Sequence, residues 1–169
     1  MDFILRNVKL IRENKDYIID VGINYEEVNY NNARDFYLKA SIEDVGDLSV
    51  YYGYEEVDLS EYFIESGKTK PESYSSIEEL EKINPIELYS QGFTNVILKD
   101  GDFSGTHSNL PFNIILNEEE KLESFIKPDD QANFIIKKNT EIRFAVINGH
   151  LINIEKIDEW VGNSIIYSK

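Results

Sequence analysis

Hydrophobic and polar residues alternate along the first part of the chain with the period of two that a half-buried β-strand requires. The segment "YIIDVGINY", residues 17–25, has apolar side chains on one face and Asp20 and Asn24 on the other. The same alternation recurs in "RDFYLKASI", residues 34–42, and in "LSVYYGY", residues 48–54. Together with the opening "FILRNVKLI" before the turn "ENKD", these segments predict an antiparallel meander of four strands.

Helix signals follow in the middle of the chain, after an irregular polar stretch. Ser76 and Glu79 have the spacing of a capping box ahead of an apolar run, and Pro85 is expected to stop this helix. Asn117 is predicted to cap a second short helix, "EEEKLESFIK", which Pro128 ends.

The remaining segments are rich in strand-forming residues, among them "FTNVIL", "PFNIIL", "ANFIIKK" and "SIIY". Asn148-Gly149 between two apolar runs is the strongest hairpin signal in the chain, and it pairs Val146 with Leu151. The sequence therefore predicts a single α+β domain, residues 1–169, with two or three short helices. Its sheet is expected to be mainly antiparallel, either a curved meander or a two-sheet sandwich.

Charge narrows the partners that such a domain is expected to have. With 17 basic and 32 acidic residues the formal net charge is -15, which disfavours nucleic acid and anionic membrane surfaces and favours cations or basic proteins. The chain has no cysteine, no pattern typical of a signal peptide and no apolar run of about 20 residues. The cytoplasm is the expected compartment.

The stretch "KDGDFSGTHSN", residues 99–109, places Asp100, Asp102 and Ser104 on the spacing that opens a calcium-binding loop. The position that should carry the closing glutamate is Pro111, and the flanking segments are predicted strands rather than helices. Asp, Ser and Gly are also the residues that ordinary loops use. A plain loop is the favoured interpretation, and a calcium or small-ligand module is the alternative.

Few residues of the chain have the types and spacing of a catalytic site. Ser104, His107 and Asp102 are the residue types of a nucleophile, a base and an orienting group, but they lie too close together in sequence, and the nucleophile-elbow motif is absent. His150 is the second of two histidines, which is too few for a zinc set. We therefore predict a protein that is not an enzyme and needs no cofactor.

The window from Ala40 to Gly67 gives a clearer functional signal than these motifs, because it contains acidic residues and tyrosines without a single Lys or Arg. Unopposed carboxylates interleaved with aromatic rings predict a surface for a basic protein. A solvated acidic face is the alternative, in which Tyr52 and Tyr54 share the inward face of a strand with Val50. Pairing at a sheet edge is another possible mode of partner binding. The predicted partner-binding residues are Glu43, Asp44, Asp47, Tyr51, Glu55, Glu56, Asp58, Glu61, Tyr62 and Glu65.

In size, acidity, lack of cysteine and lack of enzymatic motifs, the chain resembles the immunity proteins of bacterial polymorphic toxin systems, including contact-dependent growth inhibition. The resemblance implies a cytoplasmic inhibitor that binds a cognate basic toxin, often a nuclease, and occludes its active site. Carboxylates around Glu55, Glu56 and Asp58 would then occupy the phosphate groove of the toxin, while Tyr51 and Tyr62 supply contact area.

Overall fold

The computed structural model describes residues 1–29, 36–99, 111–116, 126–161 and 164–167. Strands dominate these residues, and two short helices accompany them, so the α+β class is confirmed. The helices are α1 (Ile77–Glu81) and α2 (Pro85–Ser90), with a 3₁₀ turn at Ile154–Lys156. The strands are β1 (Phe3–Arg12), β2 (Lys15–Asn29), β3 (Phe36–Gly46), β4 (Glu55–Asp58), β5 (Phe63–Ser66), β6 (Lys68–Tyr74), β7 (Phe93–Leu98), β8 (Asn113–Leu116), β9 (Phe134–Lys138), β10 (Glu141–Ile147), β11 (His150–Asn153), β12 (Ile157–Val161) and β13 (Ser164–Tyr167).

The largest sheet has eight strands in the order β11-β10-β9-β5-β1-β2-β3, with β4 beside β1. Most neighbours in it are antiparallel, but β1 runs parallel to both β4 and β5. A second sheet, β6-β7-β8, is parallel throughout, and β12 pairs with β13. The prediction of a mainly antiparallel sheet is therefore only partly right. Parallel pairing of β6 and β7 requires a crossover, and α1 and α2 provide it.

The predicted hairpins are confirmed. Asn148 and Gly149 have φ values of 48° and 80°, as a two-residue type I′ turn requires, and Val146 pairs with Leu151. Glu13 and Asn14 form the corresponding turn between β1 and β2, with φ values of 51° and 63°.

The prediction of a fourth strand in the meander is wrong. β3 ends at Gly46, and residues 47–54 form a loop before β4 begins. The guanidinium of Arg6 donates to the carbonyl oxygens of Leu48 at 2.6 Å and Tyr51 at 2.8 Å, so these backbone acceptors are satisfied without a strand ladder. The next strand, β4, then pairs parallel with β1 instead of extending the meander.

The predicted capping box does begin a helix. The Oγ of Ser76 accepts from the Glu79 N–H at 3.3 Å, and the Glu79 carboxylate accepts from the Ser75 N–H at 2.9 Å. α1 ends at Glu81, before Pro85, and Pro85 itself begins α2, which Asn84 caps. Proline suits a first helical position because it lacks an N–H that would have no partner there. The helix predicted after Asn117 falls largely on residues outside the described ranges.

The buried side chains form three clusters that α2 helps to connect. The largest cluster lies on the eight-stranded sheet and includes Ile23, Ile42 and Phe134. Leu88 of α2 packs with β7 in the second cluster, while the neighbouring Tyr89 packs with β9 and β10 in the third. Neither α1 nor α2, the described helices, is long or apolar enough to cross a membrane.

Candidate functional site

At a β-bulge in β1, Arg6 and the neighbouring Asp20 of β2 contact the acidic window, residues 40–67. The register of β1 against β2 shifts there, and Asn7 has a positive φ of 63°. The Asn7 N–H donates to Asp20 Oδ1 at 2.9 Å, and Arg6 Nη1 lies 3.2 Å from Asp20 Oδ2. The Leu48 N–H donates to the same carboxylate at 3.0 Å. Asp20 is only 8% exposed, so these donors replace the water that it gives up on folding.

The same arginine reaches β4. Arg6 Nη2 lies 2.6 Å from Glu56 Oε1, and this hydrogen bond is the largest cause that raises the pKa of Arg6. With its bonds to the Leu48 and Tyr51 carbonyls, Arg6 joins β1 to the loop 47–54 and to the start of β4. The guanidinium suits this position because its donors form a planar fork that serves several acceptors at once.

A cleft of about 240 Å³ lies between this end of β1, β2, β4 and β11. The rings of Phe3 and Tyr25 have centroids 5.8 Å apart, and the Tyr25 ring lies 5.8 Å from that of His150. The cleft, which we call the aromatic cleft, is lined by Phe3, Tyr25, Glu55, Glu56, Val57 and Leu151.

Tyr25 is held in place at the floor of the aromatic cleft. Its hydroxyl donates to the Gly149 carbonyl at 2.8 Å, and its N–H donates to Asp2 Oδ2 at 2.7 Å. Gly149 allows this approach, because a Cβ at its position would lie 2.8 Å from Tyr25 Cε1. Burial raises the pKa of Tyr25, and the charges of Asp2 and Glu55 raise it further. The carboxylates of Asp2 and Glu55 near Tyr25 favour a cation at this place.

The prediction that the acidic window is unopposed is wrong for three of its carboxylates. Their basic partners come from outside the window, from the start of the chain, β1 and β9. The pairs are Glu43 with the Met1 ammonium at 2.6 Å, Glu56 with Arg6 at 2.6 Å, and Glu65 with Lys137 at 2.9 Å.

Other predicted site residues bond to nearby backbone. Asp47 Oδ1 accepts from the Ser49 N–H at 3.1 Å, and Asp58 Oδ1 accepts from the Ser60 N–H at 3.0 Å. Hydrogen bonds from these serines lower the pKa of both aspartates. Asp44 bonds in the same way to the N–H of the next residue. Asp47 and Asp58 therefore shape turns, which is a common use of Asp, whereas Asp44 lies within β3.

The tyrosines of the loop 47–54 also differ from the prediction. The alternative of a solvated face places Val50, Tyr52 and Tyr54 on the inward face of a strand, but these residues are 73%, 84% and 38% exposed. Tyr51 is half-buried, and its ring centroid lies 6.1 Å from that of Tyr54. An exposed apolar and aromatic surface therefore immediately precedes Glu55 in the chain.

Three predicted binding residues lie near the start of β5 and do not line the aromatic cleft. Tyr62 is half-buried, with its ring centroid 5.6 Å from that of Phe144, and it packs on the main core. Glu61 is exposed and has a φ of 76°. Glu65, paired with Lys137, lines a different cleft.

The predicted metal and nucleophile residues lie outside the described residues: Asp100, Asp102, Ser104 and His107. Within the ranges that the structure describes, no group of three or more His, Asp or Glu side chains is placed to hold a metal ion.

Phe3, Tyr25 and Leu151 belong to the aromatic cleft but were not predicted as site residues. Their only sequence signal is a place in an alternating strand pattern, which marks core residues equally well. Glu55 and Glu56 are the predicted residues that line the same cleft.

No family model and no curated protein matches the chain. Solved structures do match in part, and the chain spans about a fifth of their length. A D-aminoacylase described as defining a subset of amidohydrolases is 22% identical, with a TM-score of 0.41, over 61% of this chain and 19% of that one. A D-hydantoinase from Bacillus sp. AR9 is 14% identical, with a TM-score of 0.37, over 60% and 21%. A dihydropyrimidinase from Brevibacillus agri is 14% identical, with a TM-score of 0.37, over 59% and 20%.

These matches contradict the prediction of a non-enzymatic protein that neutralises a toxin, because the matching structures are named as enzymes. At these TM-scores they assign neither an activity nor a catalytic residue to this chain. None of those described concerns immunity proteins, so that resemblance stays a prediction.

Proposed function

We propose that the chain binds a basic protein segment and that the aromatic cleft receives a Lys or Arg side chain of that partner. One observation carries the proposal. The exposed carboxylate of Glu55 lines an aromatic-floored cleft and has no ion-pair partner within the part of the chain that the structure describes. An unpaired charge beside apolar rings is best satisfied by a cation from another molecule.

The chemistry of the cleft suits one long cationic side chain. An ammonium or guanidinium group over an aromatic ring is attracted by the negative face of the ring. Phe3 and Tyr25 supply the rings, and Glu55 supplies a full negative charge at the same place. The volume of about 240 Å³ is below the roughly 300 Å³ at which sites for drug-sized ligands begin.

A protein partner is favoured over a free amine because exposed apolar and aromatic residues lie beyond the cleft. Val50 and Tyr52 are largely exposed and stand a few residues before Glu55 in the loop 47–54. Exposed tyrosine beside a charged pocket is typical of the residues that dominate protein interfaces. The net charge of -15 attracts a basic partner over a longer range and speeds the encounter.

Fluorescence anisotropy with a labelled peptide that alternates lysine and glycine tests this proposal. We expect binding that weakens as salt rises from about 50 to about 200 mM. Acetylating the lysines of the peptide should abolish binding, because it removes the charge that the cleft recognises.

Glu55→Gln should weaken binding of the lysine peptide about tenfold, since it removes a partly desolvated charge pair. Glu78→Gln is the matched control, because Glu78 is an exposed glutamate of α1 and its substitution changes the net charge equally. Tyr52→Ser should weaken binding without affecting the fold. Equal affinities of the Glu55 and Glu78 variants would place the interaction elsewhere on the acidic surface and reject the cleft.

A further inference from the structure

A second cleft, of about 520 Å³, opens where β1 and β5 separate. The two strands pair at Lys9 and Phe63, and the Lys9 N–H donates to the Tyr62 carbonyl at 2.9 Å. Beyond this point β1 continues to Arg12 in register with β2 only. The diverging strands leave a wedge between them, which we call the strand wedge.

The strand wedge has an apolar floor and a polar rim. Leu10, Ile11 and Ile64 contribute apolar side chains. Successive N–H groups of a strand point to opposite sides. The Lys9 N–H points to β5, so the N–H of Ile11, two residues later, points to the same side. Ser66 contributes a hydroxyl to the rim.

The charge at the strand wedge is opposite to that of the molecule as a whole. Lys68 and Lys137 line it, and Lys9 Nζ lies 5.4 Å from the centroid of the Phe63 ring. Glu65 offsets one of these charges through its ion pair with Lys137 at 2.9 Å. Lys68 is exposed and has no ion-pair partner among the described residues. The chain as a whole has a charge of -15, so its composition does not account for a cleft with a net positive charge.

We propose that the strand wedge binds an organic anion with an apolar body, of the class of medium-chain carboxylates. The apolar chain of the ligand would cover Ile11, which is 57% exposed, and the partly exposed Phe63, above the buried Leu10 and Ile64. Its carboxylate would lie between the ammonium groups of Lys68 and Lys137, where charge-assisted hydrogen bonds form. This site differs from the aromatic cleft in place, in charge and in ligand.

Isothermal titration calorimetry of the full chain with sodium octanoate tests the proposal, with 1-octanol as a neutral probe of equal length. We expect octanoate to bind at one site and octanol to bind about tenfold more weakly, since octanol lacks the charge. Lys68→Gln should weaken octanoate about tenfold and leave octanol unchanged.

Lys70→Gln is the matched control, because Lys70 lies on β6 and does not line the strand wedge. It should leave octanoate affinity unchanged. Glu55→Gln should also have no effect on octanoate, so failure of the aromatic cleft and failure of this site are distinguishable. Equal affinity for octanoate and octanol, no binding of octanoate, or equal effects of the Lys68 and Lys70 substitutions would each overturn the proposal.

Discussion

Arg6 Nη1 lies 3.2 Å from Asp20 Oδ2 across the β1–β2 hairpin, and both side chains are largely removed from solvent. The bulge in β1 makes this contact possible, and Arg6 then reaches Glu56 and the loop 47–54. Arg6 therefore links Asp20, which lies outside the acidic window, to the start of β4, where Glu55 pairs in register with Phe3.

Asp20→Ala should lower the free energy of unfolding by about 3 kcal/mol, because it leaves the backbone N–H groups of Asn7 and Leu48 without their acceptor and removes one of the two carboxylates that pair with Arg6. Urea denaturation followed by circular dichroism measures this. Asp16→Ala, at an exposed position of β2, should change the value by less than about 0.5 kcal/mol. Similar losses in the two variants would show that the buried pair does not stabilise the fold.

Gly67→Ala should destabilise the protein by roughly 3 kcal/mol or prevent folding, because overpacking at a rigid site shifts the backbone. A Cβ at Gly67 would overlap Thr94 Oγ1 and lie 2.7 Å from the carbonyl oxygen of Asn133. Thermal unfolding measures the change. Gly22→Ala is the control, because its nearest neighbour is the flexible end of the Met1 side chain. A larger loss at Gly22 than at Gly67 would contradict the argument.

Thr94→Val should raise the free energy of unfolding by about 1 kcal/mol, because the buried Thr94 hydroxyl has no hydrogen-bond partner among the described residues. Valine has nearly the same shape without the polar atom. Thr69→Val should instead lower stability by about 1 kcal/mol, since Thr69 Oγ1 accepts from Asn95 Nδ2 at 3.4 Å and Asn95 is buried. Guanidinium denaturation compares the two. A destabilising Thr94→Val would mean that the hydroxyl bonds to an ordered water.

Stability should fall as the pH rises above about 10, where tyrosine ionises in the unfolded chain. Burial raises the pKa of Tyr89 well above that value, and its hydroxyl donates to the Pro111 carbonyl. The folded state keeps the proton that the unfolded state releases, so each such tyrosine costs up to about 1.4 kcal/mol per pH unit.

Tyr89→Phe tests the origin of this alkaline loss. It should lower stability at pH 7 by about 1 kcal/mol through the lost hydrogen bond, and it should reduce the slope above pH 10. Tyr52→Phe, at an exposed position, should leave both unchanged. Urea denaturation across the alkaline range gives the slopes, and a wild-type slope in Tyr89→Phe would assign the loss to other groups.

The sequence by itself determined the elements whose signals are local. Alternation of apolar and polar residues predicted most of β2 and β3, because successive side chains of a strand point to opposite faces, and the opening apolar segment before the turn "ENKD" predicted β1. Asn148-Gly149 predicted its hairpin because both residues tolerate a positive φ, and Ser76 with Glu79 predicted the start of α1.

Only the tertiary structure decided which of these patterns are buried and which charges are paired. Residues 48–54 alternate as a strand does, yet Arg6, more than 40 residues earlier, takes the Leu48 and Tyr51 carbonyls and leaves Tyr52 in solvent. Arg6 and Lys137 likewise neutralise carboxylates of a window that has no basic residue of its own. Such contacts depend on which strands become neighbours, and a local pattern does not contain that information.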